Sequence, residues 1–166
     1  MKKQENNYAF IDGQNVHLGV KELGWLLDFR RFRVYLADKY RVKKAYIFIG
    51  FIEGNQEIYR FLQEAGYILI LKPVLIPKDG KPKGNVDADL VLRAMVDYLS
   101  YDQAVIITSD GDFYSLVDYL YNQGKLKIVL SPNKAKCSIL LRQKAKEKIE
   151  FMDKLAFKLS RNLIKK

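Results

Sequence analysis

Tyr8-Ala-Phe-Ile-Asp12-Gly-Gln-Asn15-Val-His-Leu18, "YAFIDGQNVHL", drives an apolar stretch suited to a buried strand straight into an aspartate, a glycine and an asparagine. A carboxylate in that place is either a turn residue or one wall of a reaction site, and the rest of the chain has to decide which. The same design returns in "AVIITSDGDF", residues 104–113, where an apolar run again ends in acids and a glycine.

Working outward from these two stretches, short apolar runs alternate with helical patterns. Residues 8–11, 45–49, 67–71, 104–108 and 127–130 read as strands. They lack polar alternation, as strands covered on both faces do. Helices are predicted over 29–39, 55–65, 87–100 and 113–123, with Gly66 and Gly124 standing where helix C-caps belong. Later, 138–145 reads as a helix, 148–151 as a short edge strand and the last dozen residues as a basic amphipathic helix. This order implies an α/β fold: a mostly parallel sheet, helices on both sides, right-handed crossovers. The stretch "KPVLIPKDGKPKGN", residues 72–85, holds three of the four prolines and reads as a loop or a loosely paired hairpin.

Composition narrows the function. The 166 residues suffice for one domain with a substantial core, expected over 1–155 and followed by a basic tail or helix extension over 156–166. A polar N-terminus and the lack of any apolar run near the ~20 residues of a membrane span predict neither leader nor anchor. The single Cys137 excludes a disulfide framework or thiolate cluster and fits a reducing cytoplasm. The single His17 argues against His-rich zinc chemistry. The net charge is +10, and residues 134–166, with eleven Lys/Arg and three Asp/Glu, carry +8 of it. A nearly neutral body with a basic tail suits a polyanion, with nucleic acid the leading candidate; a solvated helix that keeps the chain soluble is the plainer reading.

In an open parallel sheet, ligands bind beyond the carboxyl ends of the strands near the switch in strand order. That rule gathers Asp12 after the first strand, Asp110 and Asp112 after the strand at 104–108, and Asp87 at the start of a helix. Helical spacing places Asp87 above Leu90, Val91 and Ala94 on the apolar side. Asp89, about 200° away by the 3.6-residue period, lines up with Arg93 as an exposed pair. Such a cluster with no paired lysine needs a cation, and oxygen ligands select magnesium or manganese. Phosphodiester hydrolysis is the chemistry that fits. Taken singly, each acid has a structural reading: Asp110 or Asp112 as a helix cap, Asp12 bracing its own turn with Asn15 capping the segment after it. Their joint placement at strand ends favours a site.

Other signals are weaker. His17 reads as a partly buried structural histidine rather than a base. Ser109 lacks a histidine partner and a nucleophile-elbow pattern. The glycines of residues 78–84 do not form a phosphate loop, although Lys72 and Lys83 suit a nucleic-acid backbone. Tyr114, Tyr119 and Tyr121 have core or rim spacing, and Cys137 reads as a small apolar residue.

"FIDGQNVHLGV", "KGNVDADLVLRAM" and "VIITSDGDFYSLVDYLYNQGKLKIVL", in that order and spacing, resemble the NYN domain of the LabA-like group within the PIN-like nuclease superfamily. The similarity covers roughly residues 7–155, and "SILLRQKAKEKIEFMDKL" continues as that group does after its last core strand. The resemblance implies a three-layer α/β/α sandwich, Rossmann-like, with a metal-dependent ribonuclease site. Asp12 would be the first-strand metal ligand, Asp87 the acid of the Lys-Gly-x-x-Asp motif, and Asp110 and Asp112 those of Ser-Asp-Gly-Asp. Asn15 would hold the site and touch substrate, and Thr108 or Ser109 would assist by hydrogen bonding. Many relatives carry a further acid about a turn and a half after the Asp87 position, where this chain has Arg93, which leaves one metal or two open.

The resulting expectation is a cytoplasmic Mg2+- or Mn2+-dependent ribonuclease acting on RNA, single-stranded first of all, with no membrane partner. A non-catalytic RNA-binding or regulatory module is the alternative. A phosphatase-like enzyme is less favoured, because Gln14 stands where such enzymes place a second acid after the first strand. Tyrosines and isoleucines on helix faces suit a homodimer interface as readily as a core.

Overall fold

The computed structural model describes residues 3–74, 78, 80 and 85–161. Six strands form one sheet: β1 (Asn7–Asp12), β2 (Val42–Phe51), β3 (Tyr67–Pro73), β4 (Ala104–Ile107), β5 (Leu126–Ser131) and β6 (Ile149–Phe151). Their order is β3-β2-β1-β4-β5-β6 and every pairing is parallel. The helices are α1 (Gly13–Glu22), α2 (Phe29–Tyr40), α3 (Gln56–Glu64), α4 (Asp87–Val96), α5 (Tyr114–Asn122), α6 (Ile139–Ala145) and α7 (Ala156–Leu159).

The pleat sends successive side chains to opposite faces, which is why the strands read as unbroken apolar runs. In β1, Ala9 and Ile11 join Val16, Phe32, Leu36, Leu62 and Leu159 in a core under α1, α2, α3 and α7. Tyr8 and Phe10 face the other way, toward Leu90, Ala94, Leu116, Leu120 and Leu141 of α4, α5 and α6. The chain is therefore an α/β/α sandwich with a parallel sheet. Gly66 and Gly124 adopt positive φ (+102° and +69°) just past α3 and α5, the backbone that helix-ending glycines permit.

Three expectations need correction. Helix α1 is absent from the expected elements; its Gly-Gln-Asn start reads as a turn until Asp12 is seen to cap it. Helix α4 ends at Val96 rather than at 100, because the Tyr101 hydroxyl donates to the Ala94 carbonyl (2.7 Å) that a continued helix would use, and Tyr98 N–H turns to Met95 O instead. The terminal basic helix is a single turn, α7; Ser160 then leaves it to form an antiparallel bridge with Leu27, and residues 162–166 lie outside the described set. Among the described residues no helix is long and apolar enough to cross a membrane.

Candidate metal centre

Strand order 3-2-1-4-5-6 puts the topological switch between β1 and β4, and the acids gather above it. Asp12 closes β1 on the pleat face of Tyr8 and Phe10, which is the face α4 covers. Asp87 opens α4 on that same face, and Asp110 comes after β4. One carboxylate oxygen from each of Asp12, Asp87 and Asp110 lies within 4.8 Å of the other two.

Each acid is also held by its own local structure, so capping and clustering coexist in the same side chains. Asp12 caps α1, accepting from Asn15 N–H (3.4 Å). Asp110 caps a short 3-10 turn at Gly111–Phe113, accepting from Asp112 N–H (2.9 Å). Asp87 is steadied by its own N–H, which donates to Asn85 Oδ1 (2.8 Å). Thr108, fully buried, ties the first two together: its Oγ1 donates to Asp12 Oδ2 (3.4 Å) and accepts from Asp110 N–H (3.1 Å).

Electrostatics reflect this crowding. Asp12 is only 7% exposed, and its pKa rises from an ordinary 3.8 to about 6. Burial is the main cause; the neighbouring Asp87 and Asp110 add to it, while the bonds from Asn15 N–H and Thr108 oppose it. Asp87 is raised too, by burial first and then by Asp110. A divalent cation would relieve both shifts, and an all-oxygen donor set fits a hard ion.

The other expected residues occupy varied positions. Asp112 is exposed and outside the close trio, though its charge still acts on Asp87. Asn15 does not cap a later segment; it lies inside α1, and its Oδ1 accepts from Ser109 N–H (2.8 Å). The Ser109 hydroxyl is bonded to that of Ser131 (2.7 Å). The cluster does have a lysine beside it: Lys72 donates to Asn85 O (2.5 Å), pairs with Asp89 (3.7 Å) and counteracts the rise at Asp87. Asp89 is thus not the partner of Arg93, which pairs with Asp97 (3.7 Å) and lies over the Tyr46 ring. Lys83 lies outside the described residues. His17 is exposed, not partly buried, and Cys137 is buried as a small apolar residue.

Supporting residues went unread in the sequence. Asn85 holds Asp87, Ser131 holds Ser109, and Ser138 N–H donates to Ser109 O (3.0 Å). Ser131 ends β5, so the strand-end rule alone would have flagged it. Two glycines permit close approach: a Cβ on Gly13 would overlap the Ile49 side chain, and one on Gly111 would overlap Ser138.

Comparison with known proteins agrees with this architecture. A protein of unknown function from Vibrio parahaemolyticus has a crystal structure that superposes with a TM-score of 0.74 at 24% identity, covering 93% of this chain and 97% of that one. The low amplitude and bright protein LabA of Synechococcus elongatus is 28% identical over 122 residues, 67% of this chain and 65% of LabA, so the chain spans just under two thirds of that relative. Residues 8–152 match the NYN domain family, and with most of its length inside that match the chain belongs to the NYN domain family.

Proposed function

We propose that the chain is a metal-dependent ribonuclease that hydrolyses RNA phosphodiester bonds at the Asp12, Asp87 and Asp110 cluster. The observation that carries this reading is the meeting of three carboxylates, from three separate connections, within 4.8 Å at the switch point of a nuclease-like fold. Asp12, Asp87 and Asp110 would hold Mg2+ or Mn2+, with Asp112 close enough to contribute charge. A bound ion of this kind neutralises phosphate charge and activates water for in-line attack.

The chain's own residues do the rest. Thr108 orients Asp12 and the backbone of Asp110 in one step. Ser109 N–H occupies the Asn15 side-chain oxygen and so leaves the Asn15 amide group as a donor for substrate. Exposed Lys134 and Lys136, in the segment that braces Ser109, hold flanking phosphates with the lysines of the tail. Lys72 serves the approach to Asp87 from the other side. The single cysteine and the charge pattern suit a cytoplasmic enzyme acting on single-stranded RNA.

One observation favours a second reading. Arg93 stands where the family resemblance implies a further acid, and here it is paired with Asp97 and lies over the Tyr46 ring rather than in the site. A non-catalytic RNA-binding or regulatory module would keep the acidic pocket without turnover. The deciding assay is incubation with labelled single-stranded RNA in manganese, magnesium or excess chelator, with single-stranded DNA and a small chromogenic phosphate ester in parallel. RNA cleavage lost in chelator is the expected result. Salt-sensitive RNA binding without cleavage under either ion would replace the nuclease by the regulatory module, and turnover of the ester alone would point to a phosphatase.

A further inference from the structure

The apolar run of β3, "YILIL" at residues 67–71, is the composition of a strand covered on both faces. The described residues cover it more fully on one, where Tyr67 is buried and only Leu71, near the strand end, is exposed (37%). β3 is the outer strand, and its register with β2 sets Tyr67 and Leu69 beside Ala45 and Ile47, on the face of α1, α2 and α3. Ile68 and Ile70 lie beside Tyr46 and Phe48, on the face of α4. There α4 reaches only as far as its polar edge: Asp89 meets Lys72, Arg93 lies over the Tyr46 ring, and Asp97 accepts from the Tyr46 hydroxyl (2.6 Å). Among the described residues no helix stands beyond that edge, and Ile68 is 40% exposed. Beyond that polar edge, α4 turns an apolar stripe outward. Leu92 and Val96 are each 63% exposed, and Leu99, just past the helix end, is 93% exposed. Their spacing of four and then three residues keeps them on one side.

We infer that this face is the contact of an isologous homodimer, in which α4 of each copy lies over β3 of the other and covers Ile68, which the described residues leave exposed. An isologous contact needs one patch that carries both a feature and its complement, and here the exposed strand and the unpartnered helix stripe share one face. Charge selects the occupant. The chain carries +10, yet between stripe and strand lie Asp89, Arg93, Asp97 and Lys72, two acids and two bases. Such a neutral, apolar surface on a basic chain offers little to a nucleic acid and does not repel a second copy. The alternation Asp89, Arg93, Asp97 along one helix edge lets the acids of one copy meet the bases of the other. The contact is independent of whether the carboxylate cluster turns over RNA.

The test is the solution mass of the full chain by sedimentation velocity across a concentration series. Wild type is expected at twice the 19.3 kDa chain mass. Leu92→Glu and, separately, Ile68→Glu are expected at the single-chain mass. Both sites are exposed, so circular dichroism and melting should show the variants folded. Phe157→Glu, on the opposite helix layer and 68% exposed, should remain double. A wild type that stays single at every concentration overturns the inference, and so does a higher assembly, a folded Leu92 or Ile68 variant that keeps the double mass, or a Phe157 variant that dissociates as readily.

Discussion

Asp12 lies under two opposing demands. Its backbone ends the central strand and its side chain caps α1, yet the same carboxylate is buried against two others. With a folded-state pKa near 6 against an ordinary 3.8, the folded protein binds more protons than the unfolded chain between those values. The cation-free protein must therefore lose stability as pH rises through about 4 to 6, by on the order of 3 kcal/mol from this group alone. Thermal melts in chelator across that range should show wild type falling relative to Asp12→Asn, and parallel profiles of the two would contradict the assignment. Asp12→Asn removes the charge while keeping a capping oxygen. It should raise the stability of the cation-free protein above pH 6 by about 1–3 kcal/mol while abolishing RNA cleavage and leaving RNA binding largely intact. Cleavage that survives in this variant would remove Asp12 from the reaction.

At the scale of elements, the site depends on how closely α1 and the loop after β4 approach their neighbours. Gly13→Ala would push a methyl group into Ile49 and toward the Phe48 carbonyl, so α1 would shift against β2 and carry Asp12 with it. The expected cost is about 1–3 kcal/mol in denaturant unfolding, with cation binding weakened as well. This dependence was only partly legible in the sequence. All six strands, helices α2 to α6 and the gathering of Asp12, Asp87 and Asp110 could be read, chiefly because buried parallel strands are apolar throughout and end where polar loops begin. Helix α1 could not, since its capping acid, glycine and asparagine look like a turn until the sheet fixes their geometry. Nor could the real partner of Asp89: helical spacing finds Arg93, whereas Lys72 approaches from a different element. The hydrogen bond between Ser131 and Ser109 likewise joins segments distant in sequence, where no local pattern records it.

At the scale of the whole molecule, charge and shape divide the surface. The face between β3 and α4 is apolar and locally neutral, while exposed Lys134 and Lys136 come after β5 at the edge where the carboxylates gather. Polyanion binding should then fall steeply with salt. Lys134→Ala and Lys136→Ala should each weaken RNA binding and reduce the slope of log affinity against log salt by about 1, without altering cation affinity. A slope unchanged in both variants would move the RNA path away from this edge. Asp110 rides on the same connection that the segment of these lysines braces through Ser138 and Ser109, so the proposed RNA contacts and the carboxylate cluster share one wall of the sheet.

The measurement that tests the central claim most directly is a calorimetric titration of the metal-free protein with manganese, run beside Asp12→Asn and Asp118→Asn. Asp118 is a surface acid on α5 paired with Lys144 and is not one of the clustered carboxylates. Saturable uptake by wild type and Asp118→Asn, with loss of that binding in Asp12→Asn, is the predicted result. Equal binding by all three proteins, or none by wild type, would contradict a cation site built from Asp12, Asp87 and Asp110.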